Sequence, residues 1–251
     1  MTENNFCVDM EKIAVIIPAF NEVESIADVV TGILAVRRKS GFDIDLIVVN
    51  DCSTDATRQI VAKLDCFLLD LPINLGIGGA VQCGMRYAFN HGYDVAVQVD
   101  ADGQHPPVEL PKLLNELKKG EADVVVGSRF LGKEGYQSTL TRRLGIRYFQ
   151  SLLALIIGLK STDSTSGFRA LNRRALEIAC EYYPDEYPEV EALVLFSCFD
   201  LRIKEIPVHM RERQGGKSSI GPFSSIYYLS KVSIALIFTY FRFRKGRNYE
   251  S

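Results

Sequence analysis

IAVIIPAFNEVESIADVVTGILAVRRKSGFDIDLIVVND, Ile13 to Asp51, is the stretch from which the fold is read. It opens with an apolar, mostly β-branched run, Ile13–Ile17. A short continuous run of this kind reads as a strand buried on both faces, as in a parallel sheet. Pro18 is expected to end it. From Glu22 to Arg38 the period changes, and Ile26, Val29, Val30, Ile33 and Leu34 share one face of a helix. Ile44–Val49 is a second buried strand, so the stretch reads as a β-α-β unit.

The same alternation continues outward. Ser53 or Thr54 is placed to cap a helix that runs to about Leu64. Cys66–Leu71 is a third strand, and Gly78–Asn90 a helix opened by glycines. Asp94–Val99 is a fourth strand, Pro107–Lys119 a helix with proline near its start, and Asp123–Gly127 a fifth strand. The expected fold class is therefore α/β, with a mostly parallel, doubly wound sheet. After Gly132 the pattern breaks. Gly132–Thr139 reads as a mobile loop and Thr141–Gly158 as an apolar helix, followed by DSTSGFRALNRRAL (Asp163–Leu176). Ile203–Val208 is a late strand, and MRERQGGKSS (Met210–Ser219) a further loop.

The chain has 251 residues, 47% of them apolar, which suits one α/β domain with a large core. A net charge of −2 argues against a nucleic-acid partner. Six cysteines are scattered without a CxxC pair or zinc spacing, as expected of reduced thiols in a cytosolic protein. Cys66, Cys83, Cys180 and Cys198 lie in apolar surroundings and are read as core. The polar start, residues 1–12, has no apolar leader segment and reads as a flexible tail.

In doubly wound sheets ligands bind outside the carboxyl ends of the strands. The polar residues gather there: Asn21 and Glu22 after the first strand, Asp51 after the second, Asp100 and Asp102 after the fourth, Ser128 and Arg129 after the fifth. Asp100 and Asp102, in VDADGQH, can face one cation held by phosphates. Mg2+ and Mn2+ favour such oxygen ligands, and the competing reading is a turn or a cap. Gln104 and His105 are candidates for further ligation or supporting bonds. Asp51 either accepts from a base or ribose, or shapes a turn with Asp55. NLGIGGAVQCG (Asn74–Gly84) has Val81 where the dinucleotide fingerprint needs its third glycine and follows the wrong strand, which argues against a dehydrogenase. Arg129, Arg142, Arg143, Arg211, Arg213 and Lys217 are candidate phosphate contacts, with a solvated surface as the ordinary alternative.

With these residues assembled, the chain resembles the family-2 inverting glycosyltransferases, most closely the dolichol-phosphate mannose synthases and bacterial polyprenyl-phosphate hexose synthases. The segments that carry the resemblance are IPAFNE (Ile17–Glu22), VVNDCSTDAT (Val48–Thr57), NLGIGGAVQCG, VDADGQHPP (Val99–Pro107), VVGSRF (Val125–Phe130), TSGFRA (Thr165–Ala170) and RERQGGKSS (Arg211–Ser219). Asn50 stands where many relatives have a second Asp. The resemblance implies a GT-A type fold, with residues 13–219 as catalytic domain. It implies that Pro18, Ala19, Asn21, Glu22, Gly78 and Ala101 line the donor site and that Asp51 reads the base. Asp100, Asp102 and Gln104 would hold the metal and diphosphate. Arg129, Arg213, one of Arg142 and Arg143, Lys217 and Ser218 would contact phosphates or acceptor. The implied reaction moves a hexose from a UDP- or GDP-linked donor to a polyprenyl phosphate. The rival readings are extension of a saccharide and a nucleotide-binding subunit without activity.

A lipid phosphate is already ionised and needs no strong base, whereas a sugar hydroxyl does. Asp185, Glu186, Glu189 and Glu191, in PDEYPEVEAL, could supply one, but acids are also favoured at a helix start, and that reading is preferred. Residues 220–251 join an apolar, aromatic run, Phe223–Phe241, to the basic RFRKGR (Arg242, Arg244, Lys245 and Arg247 among it). The run is too polar for a membrane span and suits an amphipathic interfacial helix, with packing on the catalytic domain as the alternative. The expected location is the cytoplasmic face of a membrane, directly or through a small membrane-protein subunit.

Overall fold

Three segments of the chain, residues 11–131, 140–211 and 224–244, are described by the computed structural model, with the backbone alone for 140–144 and 224–228. The first strand, β1 (Lys12–Ala19), lies between β2 (Asp43–Asn50) and β4 (Val95–Gln98), both parallel to it. β3 (Phe67–Asp70) extends the parallel set beyond β2. The seven-stranded sheet has the order β3-β2-β1-β4-β6-β5-β7, where β5 is Val124–Ser128, β6 Arg169–Leu171 and β7 Ile203–Pro207. β6 is antiparallel to both β4 and β5, and β7 returns parallel to β5.

The strand at DSTSGFRALNRRAL was not expected. β6 is only three residues long, its middle residue is an alanine and an arginine opens it, so no alternation announces it. Pro18 does not end β1, which continues through it to Ala19. The reason lies in register: Pro18 pairs with Val49 of β2, but pairing with β4 stops at Ile16. The missing amide therefore falls beyond the end of the β4 ladder, where it breaks no bond.

Helices cover both faces. α1 (Ile26–Ser40), α2 (Thr57–Val61) and α4 (Leu110–Lys118, entered through a 3-10 turn at Pro107–Glu109) surround one. Ile26, Val29, Val30 and Ile33 of α1 meet Leu110, Leu113 and Leu114 of α4 and the outward residues Val15, Ile17 and Val97 in one apolar layer. The other face carries α3 (Gly76–Asn90), α5 (Leu140–Ile157), α6 (Arg173–Tyr182), α7 (Pro188–Cys198) and α8 (Ser224–Arg244). Alternate strand residues thus feed opposite layers: Ile16 one, Val15 and Ile17 the other. The four cysteines read as core pack against these layers as free thiols. Burial pushes the Cys66 and Cys180 thiols up to about 11, so both stay protonated and unreactive.

Candidate active site

The carboxyl ends of β1, β2 and β4 form one edge, and the loops leaving β1 and β2 are bonded to one another. Asn21, after β1, has a left-handed backbone (φ 56°). Its amide donates to Ser53 Oγ at 3.0 Å, and its Oδ1 accepts from the Thr54 amide at 2.8 Å. Ser53 and Thr54 therefore lock two loops together and do not cap a helix. The helix there starts later, at Thr57, and Asp55 accepts from the Thr57 amide. The Glu22 amide donates to Thr57 Oγ1, and its carboxylate accepts from Ser25 Oγ at 3.0 Å. Pro18 and Ala19 lie behind this knot as buried strand residues.

Asp51 is buried, and its two carboxylate oxygens accept from the Leu75 and Gly76 amides at 2.7 and 2.9 Å. It thereby holds the start of α3. Gly78, expected at the donor, is buried where a Cβ would collide with the carbonyl oxygens of Pro184 and Asp185. Its lack of a side chain is thus explained by the crossing of the loop before α7, which closes over the start of α3.

Asp100 follows β4. Its amide donates to His105 Nδ1 at 3.0 Å, which leaves the proton of a neutral His105 on Nε2, 3.7 Å from Asp100 Oδ2. His105 is buried and stacks on Phe168, so it supports Asp100 from behind. Gln98 Nε2 donates to Asp100 Oδ1 at 3.2 Å, and the Tyr183 hydroxyl donates to Gln98 Oε1. A Cβ on Gly167 would lie 3.0 and 3.1 Å from the two Asp100 oxygens, so only a glycine backbone fits beside that carboxylate without a shift. Asp102 Oδ1 accepts from the Gln104 amide at 3.0 Å, and the Gln104 carbonyl accepts from the Arg211 amide. Ala101, between the two acids, is buried. Asp100 and Asp102 are both partly exposed. Among the described residues no group of three or more His, Cys, Asp or Glu gathers for a metal. Two hard carboxylates with the Gln104 amide nearby nevertheless fit Mg2+ or Mn2+, which commonly takes its remaining ligands from water and substrate phosphate.

Arg129 has a structural partner that the sequence did not announce. Its guanidinium is buried and makes a two-pronged pair with Asp163, Nε to Oδ2 and Nη2 to Oδ1, both 2.7 Å, with a further bond from Nη2 to Thr165. The Arg129 amide also donates to Asp163. This arginine fastens the loop after α5 to the end of β5, and Asp163 meets its charge from one side. Glu205 of β7 holds the same loop, accepting from Ser161 Oγ and from the Thr162 amide and hydroxyl. The loop leads through Ser166, bonded to the Gly127 carbonyl, to Gly167 beside Asp100. The side chains of Arg142 and Arg143, and all of Arg213, Lys217 and Ser218, lie outside the described residues, as do 132–139 and 212–223. Sequence reasoning missed Gln98, Asp163 and Tyr183. A glutamine inside the apolar DVAVQV was the available signal for the first.

With this geometry in view, the sequence pattern described as Glycosyl transferase family 2 matches residues 14–178, from β1 into α6. The chain belongs to glycosyl transferase family 2. This glycosyltransferase is 32% identical, over 78% of its length and 84% of the relative's, to UDP-N-acetylglucosamine–dolichyl-phosphate N-acetylglucosaminyltransferase of Methanococcus voltae. It is also 32% identical to undecaprenyl-phosphate mannosyltransferase of Micrococcus luteus, over 83% and 87% of the two chains. Glucosyl-3-phosphoglycerate synthase of Mycobacterium tuberculosis, solved with Mn2+, UDP and glucosyl-3-phosphoglycerate, matches 92% of this chain and 80% of its own with a TM-score of 0.69. At 20% identity that likeness shows the fold, which is of GT-A type.

Proposed function

We propose that this glycosyltransferase moves a hexose, with inversion, from a nucleotide-sugar to a polyprenyl phosphate, giving a lipid-linked sugar for glycan assembly. The observation that carries the reading is the pair of relatives. They come from an archaeon and a bacterium and differ in the sugar named, yet both names specify a polyprenyl phosphate acceptor. The acceptor class therefore carries over better than the sugar, and UDP-glucose, UDP-N-acetylglucosamine and GDP-mannose are the donors to try. The test is to offer each, labelled, with undecaprenyl phosphate and Mn2+ or Mg2+. Label extracted into the lipid phase from one donor is the expected result, and label released only as free sugar or onto a saccharide would overturn the reading.

In this reading the nucleoside lies over the joined loops of Asn21, Glu22 and Asp51. Asp51 reaches the base through lone pairs not engaged by Leu75 and Gly76. Asp100 and Asp102, with Gln104, would hold a divalent cation, which when bound offsets the charge of the diphosphate leaving group. His105, Gln98 and Gly167 keep the Asp100 carboxylate in one orientation, so little reorganisation accompanies bond breaking. The acceptor phosphate oxygen attacks the anomeric carbon and, being anionic, gives up no proton.

The C-terminal helix supplies a second line of support. Among the described residues no helix is long and apolar enough to cross a membrane. α8 instead has two faces. Val232, Leu236 and Thr239 are buried, and Thr239 Oγ1 donates to Glu191 of α7. Ile234, Ile237, Phe238 and Phe241 are 55, 42, 71 and 61% exposed, at the spacing of a single helical stripe. Arg242 and Arg244 follow in its last turn. The inner face packs on the catalytic domain, and the exposed face is what supports the interfacial reading. We read the exposed stripe as the surface that meets an anionic bilayer or a small membrane subunit, with residues 13–219 as the catalytic unit and 220–251 as the associating segment. Burying a phenylalanine contributes about 1.5–3 kcal/mol, so changing Phe238 and Phe241 together to Ser weakens flotation with anionic liposomes at least ~10-fold. Unchanged flotation of that variant contradicts the lipid assignment.

A further inference from the structure

Arg169 has no part in the mechanism above, yet it closes a segment whose residues gather around Asp100. Gly167 lies against that carboxylate: a Cβ there would fall 2.9 Å from Gln98 Nε2 and 3.0 and 3.1 Å from the two Asp100 oxygens. The Phe168 ring stacks on His105, whose Nδ1 accepts from the Asp100 amide. Arg169 follows as the first residue of β6. Its ladder partner is Gln98, which donates to Asp100 Oδ1.

The Arg169 guanidinium is fully buried and ties two main-chain segments to the sheet. Nε donates to the Ser166 carbonyl at 2.8 Å, and Nη2 to the Glu189 carbonyl in the first turn of α7. Ser166 is held from its other side as well, its hydroxyl donating to the Gly127 carbonyl at 2.6 Å. The Phe168 carbonyl accepts from the Gly127 amide. The backbone that places Gly167 against Asp100 is therefore fixed on both sides. The bond to Glu189 holds the far end of the loop that begins at Tyr183, whose hydroxyl donates to Gln98 Oε1 at 3.1 Å. The Gln98 amide is thus set at both its atoms, Oε1 by Tyr183 and Nε2 by Asp100.

Stability alone does not account for an arginine here. Nη1 is buried without a hydrogen-bond partner among the described residues. The two acceptors are neutral carbonyls, which offset a buried charge less than a carboxylate would. An apolar side chain would fill the place without these costs. What a guanidinium adds is a rigid planar fork, able to donate to carbonyls of two separate segments at once. We propose that Arg169 is a positioning residue for the cation site. It acts through the Ser166–Gly167 turn and through Gln98, and keeps the Asp100 carboxylate in the orientation that receives the divalent cation. It touches neither cation nor substrate. The inference rests on the cation site proposed above.

The test compares wild type, Arg169→Lys, Arg169→Gln and Gly167→Ala. Mn2+ is titrated in the presence of UDP or GDP, whichever the protein binds, and free Mn2+ is read by electron paramagnetic resonance. Nucleotide affinity without metal and the melting temperature are measured on the same samples. Groups that orient a metal ligand commonly account for 10–100-fold in affinity, so both Arg169 variants weaken Mn2+ binding at least ~10-fold. Metal-free affinity for the nucleoside diphosphate stays within about twofold, because the loops assigned to the nucleoside do not depend on Arg169. Sugar transfer lost at low Mn2+ returns at high Mn2+, which a general loosening of the fold does not produce. Arg169→Lys and Gly167→Ala combined weaken Mn2+ binding by less than the product of their separate factors, since both act through one turn. Wild-type Mn2+ affinity in either Arg169 variant overturns the proposal, and so do factors that simply multiply. A parallel loss of metal-free nucleotide binding, or failure of both Arg169 variants to fold, marks a residue of the fold alone and overturns it too. Wild-type nucleotide binding that ignores both Mn2+ and Mg2+ overturns the cation site together with this inference, whereas unchanged variants beside a responsive wild type overturn the inference alone.

Discussion

Replacing Asp102 by Ala abolishes sugar transfer, roughly 10³-fold or more in kcat, while the protein stays folded. The side chain is partly exposed on the loop after β4 and packs in no core layer. One of its bonds comes from the Gln104 amide, and a bond of that kind contributes only ~1 kcal/mol. Its chemical role is larger, because one of two hard carboxylate ligands for the cation would be lost. Circular dichroism and thermal melting should match the parent, and raising Mn2+ should restore little activity. Parent-like turnover in Asp102→Ala would remove the metal assignment.

The largest loss of stability is expected at Asp163→Ala. Asp163 is fully buried and accepts three bonds from Arg129, whose guanidinium is nearly as deep. Truncation leaves that cation buried without its partner, at a cost of about 3–5 kcal/mol. For a chain of this size the melting temperature then falls by roughly 10 °C. The loop that ends at Gly167 loses one of its anchors, so activity falls further than the unfolded fraction explains. Adding Arg129→Met to Asp163→Ala should recover part of the stability, because the uncompensated charge is gone. Melting curves of the two variants check this. Equal destabilisation of single and double variants would show that the pair is not what holds the loop.

The parallel half of the sheet was legible because its strands are buried on both faces and its helices carry one apolar side. Ile13–Ile17 and the α1 face Ile26, Val29, Val30 and Ile33 announce themselves by composition alone. Asp100 and Asp102 were legible by place, just past a buried strand. β6 was not, because three residues offer no period, and its pairing depends on strands far away in the chain. The partner of Arg129 was hidden for a related reason. An arginine after a strand end looks the same in sequence whether it waits for a phosphate or is met by Asp163, and only the fold of the loop after α5 decides. Gly78 likewise reads as a ligand-facing glycine until the Pro184–Asp185 loop is seen to cross it. For α8, composition showed an amphipathic helix, but which residues turn inward is set by its contact with α7.

The most direct measurement compares three acceptors with one labelled donor that the enzyme accepts: undecaprenyl phosphate, undecaprenol and a free saccharide. The nucleophile in this account is the anionic phosphate oxygen, with no base to activate a hydroxyl. Transfer to undecaprenyl phosphate alone, giving a sugar joined to the lipid through phosphate, is the predicted result. Transfer to the saccharide or to undecaprenol, with none to the lipid phosphate, would contradict the account.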